Sequence, residues 1–310
     1  MVIAAAGTVA VVLIAFAMHI VDRPPQAPPV AQQKGRVPLP ITPVSYVGVY
    51  PDGVSDSYNG VTAFTNATSV KPNIILYYSA WLEPFQAAFA TSAAKHGALP
   101  LVQINPYGAS VAAIAAGQYD NYLSAYAEAV RAYGHPVILS FGHEMNGYWY
   151  PWGYLHTSPA VFVAAWRHVV SLFRAVGARN VTWMWTVNTI HARANVPAPG
   201  RWWPGSSYVN WVGIDGYYND PSLTFASLFG PTIAAVRGLT HAPILIAETA
   251  ASPSAGQSAK IADLFAGVHL YGLLGFVWFD ADRVEDWRLT SAAALASFRR
   301  NAEKYYRPAS

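Results

Sequence analysis

A chain of 310 residues can bury one large core, and α/β barrels take about 250 residues as a single domain. Charged residues make up 11% against 53% hydrophobic, a balance that excludes extensive disorder in the middle of the chain. The formal charge of +3 has no Lys/Arg cluster behind it, which argues against a nucleic-acid partner, and the absence of cysteine removes disulfides, thiolate chemistry and Cys-based zinc sites.

Val2 to Val21 is apolar except for Thr8 and His19, long enough to cross a bilayer at about 20 residues. Ala15-Phe16-Ala17 resembles a signal-peptidase site, yet no basic residue precedes the run, and Arg23, Lys34 and Arg36 follow it. Residues 1–21 are therefore expected to be either a cleaved signal or an uncleaved membrane anchor, with the folded part secreted or held at the outer face of the membrane. Residues 22–45, rich in Pro and Gln, are expected to form an extended linker.

From Tyr46 onward, strand and helix signals alternate. Tyr46–Tyr50, Asn73–Tyr78, Leu99–Ile104, Pro136–Phe141, Val181–Thr186, Trp211–Asp215, Pro243–Ala247 and Gly275–Phe279 are short, β-rich and mostly apolar on both faces. Between them run amphipathic stretches such as Glu83–His96, Tyr119–Tyr133, Pro159–Val176, Ser222–Arg237 and Gln257–Tyr271, and Ser291–Tyr305 closes the chain. Strands buried on both sides and separated by helices imply a parallel sheet, and eight repeats predict a closed (β/α)8 TIM barrel over residues 46–307. The alternative, a doubly wound open sheet for a nucleotide, lacks the Gly-rich fingerprint after its first strand, where Tyr50-Pro-Asp-Gly53 stands.

In such a barrel the chemistry gathers at the carboxyl ends of the strands. Two glutamates sit there, each where an apolar run stops: Glu144 in Ser140-Phe-Gly-His-Glu-Met-Asn-Gly147, after the fourth strand, and Glu248 in Pro243-Ile-Leu-Ile-Ala-Glu-Thr249, on the seventh. A carboxylate at the exit of a buried strand is poorly solvated and held rigidly, as a general acid or a nucleophile must be, and a matched pair suits glycosidic bond cleavage. On the same rim fall His143, Asn105, Trp185, Asn188, Asp215, Tyr217, Trp278 and Asp280, a set suited to the hydroxyls and the apolar face of a neutral sugar. A protonated Glu144 needs apolar and aromatic neighbours, which Trp149 and Trp152 offer; an ionised Glu248 needs donors, for which Tyr217 is a candidate. For His143 the other readings are a zinc ligand and a structural rim histidine, and with no Cys and no second His at helical spacing the expectation is no metal and no cofactor.

At His143-Glu-Met-Asn-Gly-Tyr-Trp-Tyr-Pro-Trp-Gly153 the chain resembles glycoside hydrolase family 26, which includes β-mannanases, lichenases and β-1,3-xylanases. Further echoes are Gly97–Pro106, Trp183-Met-Trp-Thr-Val-Asn188, Trp203-Pro-Gly205, Trp211–Tyr217 and Ile246-Ala-Glu-Thr249. The resemblance implies a retaining mechanism, with Glu144 as acid/base, Glu248 as nucleophile, His143 beside the acid, Tyr217 bonded to the nucleophile, and Trp149 and Trp278 lining the sugar next to the cleaved bond. One departure touches substrate choice: many mannanases of the family carry an arginine directly after the eighth-strand Trp, and here that residue is Phe279. Mannan is the first expectation as substrate, with mixed-linkage or β-1,3-glucan and xylan beside it; a non-catalytic sugar-binding or polysaccharide-export protein and a transglycosylase are the alternatives. The acidic loop Asp280–Asp286 reads as solvated, with a cation or sugar hydroxyls as other readings, and His191–Pro204 as either an aglycone-side loop or a surface excursion. The protein is expected to work as a monomer on a β-linked polysaccharide.

Overall fold

The structure, a computed structural model, describes residues 38–190 and 196–308. The apolar run, most of the linker and the first part of the 191–204 loop, Arg193 included, lie outside the described residues.

Eight parallel strands close on themselves in sequence order. They are β1 (Tyr46–Pro51), β2 (Ile74–Ala80), β3 (Leu99–Asn105), β4 (Val137–Phe141), β5 (Val181–Asn188), β6 (Trp211–Asp215), β7 (Ile244–Thr249) and β8 (Gly275–Asp280). Around them lie α1 (Asn59–Thr68), α2 (Ala87–Lys95), α3 (Val111–Ala115), α4 (Asp120–Tyr133), α5 (Pro159–Val176), α6 (Phe225–Arg237), α7 (Gln257–Leu270) and α8 (Ala292–Tyr305). This is the (β/α)8 barrel the alternating pattern predicts. Helices α1 and α3 go beyond that pattern: α1 holds three threonines, two asparagines and a glycine, poor helix formers, and it owes its helix to packing Val61 and Phe64 into the core. Between β5 and β6 the described residues contain only a 3-10 turn, Pro199–Trp202.

Helix α5 shows how local signals and packing agree. Ser158 caps its start by accepting from Val161 N, Pro159 occupies the first turn, and Gly177 ends it in the left-handed region at φ 85°. Its buried stripe carries Phe162, Trp166, Val169 and Phe173, and Trp166 and Phe173 meet Trp183 on the outer face of β5.

The packed chain starts earlier than β1. Leu39, Val44 and Ser45 are buried, Val44 N donates to Leu273 O, and the Tyr46 hydroxyl donates to Pro40 O. The end of the expected linker thus seals the base of the barrel, because this seam between β1 and the loop before β8 needs partners for its backbone groups.

At that seam, Gly275 pairs with Tyr46 across the β8–β1 closure with φ 153°. A Cβ at Gly275 would lie 1.8 Å from Tyr46 O, backbone against backbone, so neither partner can yield without parting the strands. Gly275→Ala is expected to cost on the order of 4 kcal/mol or more, read as a lowered denaturant midpoint or loss of soluble protein; near-wild-type stability would show that the seam is looser than described.

Candidate active site

Side chains alternate across each strand, so only every second residue of a strand end can face the barrel mouth. On β5, Trp183 faces α5, so Thr186 and Asn188 face inward; on β8, Phe276 and Trp278 pack on Phe298 of α8, so Val277 and Phe279 face inward.

Glu144 stands just beyond β4. The chain turns there through left-handed residues at Gly142 (φ 56°) and Glu144 (φ 54°), a conformation that costs a non-glycine about 1 kcal/mol. The turn is held from both sides, with Gly142 N donating to Ile104 O and Glu144 N to Thr186 O, each 2.9 Å. Asn188 Nδ2 donates to Glu144 Oε1, and Trp149 Nε1 donates to Oε2 at 2.7 Å. The Trp149 ring can come down on the carboxylate because residue 147 is glycine: a Cβ there would stand 2.4 Å from the ring. Burial first, and the charge of Glu248 second, push the Glu144 carboxyl up to about 8, against the opposing pull of Asn188 and Trp149. Trp149 therefore orients Glu144 and, as a donor, lowers its pKa, whereas the sequence suggests an aromatic neighbour that raises it.

Glu248 lies on β7 in a denser set of donors. Tyr78 donates to Oε1 at 2.6 Å, Gln103 Nε2 to Oε1 at 3.0 Å, and Tyr217 to Oε2 at 2.9 Å. Burial raises its pKa, and these three donors oppose the rise by stabilising the anion. The pair is thus unequal: Glu144 is the member suited to hold a proton, Glu248 the member suited to be the anion.

This inequality gives a stability test. The folded protein holds the Glu144 proton up to about pH 8, while the unfolded chain releases it near 4.5, so the contribution is complete below 4.5 and lost as pH rises through about 8. Glu144→Gln is expected to lose less stability than wild type between about pH 5 and pH 9, measured by thermal melting across that range. Parallel pH–stability curves would mean that Glu144 is not the proton holder.

His143 is buried beside the pair. Its Nδ1 is 3.0 Å from Asn105 Oδ1, which can only accept, so Nδ1 carries the hydrogen and Nε2 accepts from the Tyr150 hydroxyl at 3.1 Å. Burial lowers its pKa to about 3, which makes it neutral. Asp215 is fully buried, and burial with the charges of Glu248 and Glu144 pushes its carboxyl well above the usual range, against the pull of the Glu248 backbone N–H. His143, Asp215 and Glu248 bring ligand atoms within 4.8 Å of one another. Two of the three offer a metal little, because both His143 nitrogens are engaged and Glu248 already accepts from its three donors.

The remaining expected site residues divide. Asn105, Glu144, Tyr217 and Glu248 line one pocket of about 410 Å³ at the barrel mouth, and Trp149 stands at its edge, 41% exposed. Three tryptophans do not reach it, which corrects the expectation that they bind substrate. Trp278 and Trp185 lie on the outward phase of their strands and are fully buried, Trp278 against Phe298 and Trp185 against Trp203. Trp152 is also fully buried, stacked on Tyr150 at 4.5 Å, where it donates to His143 O and steadies the turn before Glu144. Asp280 is a loop brace: it accepts from Leu289 N at 2.8 Å, and burial raises its pKa to about 6. Tyr50, Tyr78, Tyr150, Phe279, Arg283 and Trp287 line the pocket without having been expected there. A second cavity, about 450 Å³ and lined by Asn73, His96, Glu303 and Tyr306 among others, opens beside the N-terminal ends of β2 and β3, away from both glutamates.

Residues 107–251, which include both glutamates, match the sequence profile of glycosyl hydrolase family 26. Over this segment, a little under half of the chain, the sequence is similar to that family. It is 29% identical over 264 residues to Endoglucanase H of Acetivibrio thermocellus, covering 80% of this chain and 29% of that protein. It is 32% identical over 99 residues to Mannan endo-1,4-beta-mannosidase A and B of Caldalkalibacillus mannanilyticus, covering 29% of this chain and 18% of that one. The chain thus matches less than a third of the length of either relative. The modular endo-β-1,4-mannanase of Cellulomonas fimi shares the fold, with a TM-score of 0.66 over 83% of this chain and 70% of that chain at 17% identity. Phe279, Arg283 and Trp287 of the pocket fall outside the profile match.

Proposed function

We propose that residues 46–307 form a retaining, endo-acting glycoside hydrolase that cleaves a neutral β-linked polysaccharide. The observation that carries this is the unequal glutamate pair on one pocket, Glu144 buried beyond β4 with two donors, its pKa pushed up by burial and by Glu248, and Glu248 held by three donors. In the first step a Glu248 oxygen attacks the anomeric carbon, the glycosidic C–O bond breaks, and the Glu144 proton passes to the leaving oxygen. In the second, Glu144, now the base, takes a proton from water, whose oxygen attacks the anomeric carbon from the face the leaving group vacated, opposite the bond to Glu248, and Glu248 leaves with its electron pair. His143 stays neutral throughout and positions Asn105 and Tyr150. An acceptor sugar in place of water would make the same chemistry a transglycosylation.

β-1,4-Mannan is the first candidate, from the motif around Glu144. β-Glucan is the second, favoured by Phe279 in place of the mannanase arginine and by the long similarity to Endoglucanase H. The proposal places the domain outside the cytoplasm, beyond the 1–21 segment, where such polymers are met. The test is a panel of mannan, mixed-linkage glucan, β-1,3-glucan and xylan with product analysis. Release of oligosaccharides from the chain interior supports the reading, and binding without cleavage of any of them overturns it in favour of a sugar-binding protein.

A further inference from the structure

The pocket has two ends with different chemistry. In the closed barrel, β8 lies diametrically across from β4, which carries the acid. An acid must touch the leaving oxygen, so the leaving part of the chain lies toward Glu144, Trp149 and the exposed Tyr148, and the glycone extends the other way, toward β8 and β1.

That far end includes side chains, Tyr50, Arg283 and Trp287, to which the chemistry above assigns no role. Phe279 stacks on Tyr50 at 4.6 Å and Trp287 packs on Tyr217 at 4.9 Å, which makes an apolar wall. Over it folds the loop after β8. Arg283 pairs with Asp52 of the β1–α1 loop at 2.5 Å and donates to the Tyr50 hydroxyl at 3.2 Å, and Asp282 N donates to Asp52 Oδ2. The loop is braced from within: Arg288 forks onto Asp286 at 2.7 and 2.9 Å, Trp287 N donates to Ala281 O, and Leu289 N to Asp280. Of the acidic residues of this loop, Asp286 and, at 3.5 Å, Asp282 pair with Arg288, and Asp280 accepts from a backbone N–H. Val284, 97% exposed, forms the tip of the loop at the pocket edge.

We propose that the Asp52–Arg283 bridge closes the glycone end of the pocket, and that Arg283 fixes how many sugar units fit on the non-reducing side by donating hydrogen bonds to the outermost one. This rests on the glycosidase reading above. Among the described residues Arg283 is the one cationic side chain lining the pocket, and a guanidinium has five N–H donors. Asp52, the Asp282 carbonyl and Tyr50 engage three of them, leaving two donors for vicinal hydroxyls. Its charge is already balanced by Asp52, and the other ionisable acids of the pocket are Glu144 and Glu248, so the matching unit is a neutral sugar and not a uronic acid. Arginine suits this task better than lysine because its planar fork stays oriented by these anchors while still offering donors.

The test maps cut positions on hexasaccharides of the polysaccharide the protein cleaves, labelled with 18O at the reducing end, for wild type, Arg283→Ala, Arg283→Lys and Asp52→Asn. Wild type is expected to favour one or two adjacent cuts near the non-reducing end. Arg283→Ala is expected to spread the cuts over longer glycones and to raise KM about tenfold, more than it changes kcat, as loss of two hydrogen bonds to a neutral group implies. Arg283→Lys should fall between, and Asp52→Asn should also spread the cuts by freeing Arg283 from its anchor. Thermal melting of the variants separates a change of pocket from a failure to fold, since a spread of cuts is read only from folded, active enzyme. Wild-type cutting with an unchanged pattern and KM in folded Arg283→Ala overturns this inference alone. A wild-type protein that cuts no β-linked polysaccharide overturns the glycosidase reading and this inference with it.

Discussion

Glu144→Ala is expected to slow cleavage of a polysaccharide by about 10²–10⁴-fold while slowing bond cleavage in an aryl glycoside with a good leaving group far less. The difference follows from what the residue supplies. A sugar alkoxide is a poor leaving group and needs the proton that the buried carboxyl holds up to about pH 8, whereas a nitrophenolate leaves without one. The second step would still be slow, because water would lack its base. Azide, which needs no base, should restore turnover and yield a β-glycosyl azide. Equal losses on both substrates with no rescue would mean that the roles of the two glutamates are exchanged, or that Glu144 only holds the sugar.

Glu248→Ala is expected to abolish turnover on both kinds of substrate, by about 10⁴-fold or more, with no rescue that retains configuration, since no covalent intermediate could form. Binding should survive, because the wall around Phe279, Trp287 and Arg283 does not depend on this carboxylate. Its three donors, Tyr78, Gln103 and Tyr217, would be left without their anion, so a loss of stability should accompany the loss of activity. A polysaccharide that the variant still hydrolyses at a tenth of the wild-type rate would remove Glu248 from the mechanism.

The two glutamates were legible because a charged residue at the end of an apolar strand has few structural uses, and the barrel because eight apolar runs alternate with amphipathic stretches. The tryptophans show where that reading stops. Trp185 and Trp278 sit at strand ends, and aromatic content alone assigns them to the sugar; the phase of the strand sends both outward. That phase was available in β8, where Val277 and Phe279 alternate with Trp278 and Asp280, once one face had been tied to the core. Gln103 carried a signal of its own, a polar residue inside the mostly apolar strand β3 (Leu99–Asn105). Tyr78 carried none: its partner Glu248 is 170 positions away, and an aromatic in an apolar strand looks like core. Arg283 was unreadable for a different reason, since its place in the pocket depends on Asp52, in the loop after the first strand, coming to meet the loop after the eighth.

The central claim is that Glu248 forms a covalent glycosyl intermediate while Glu144 acts first as acid and then as base. Proton NMR of the anomeric signal during the first minutes of hydrolysis, before mutarotation, tests it most directly. The β-anomer of the new reducing end should accumulate first, with the α-anomer following by mutarotation. Initial accumulation of the α-anomer would contradict it, because inversion places a water molecule where Glu248 is held to attack.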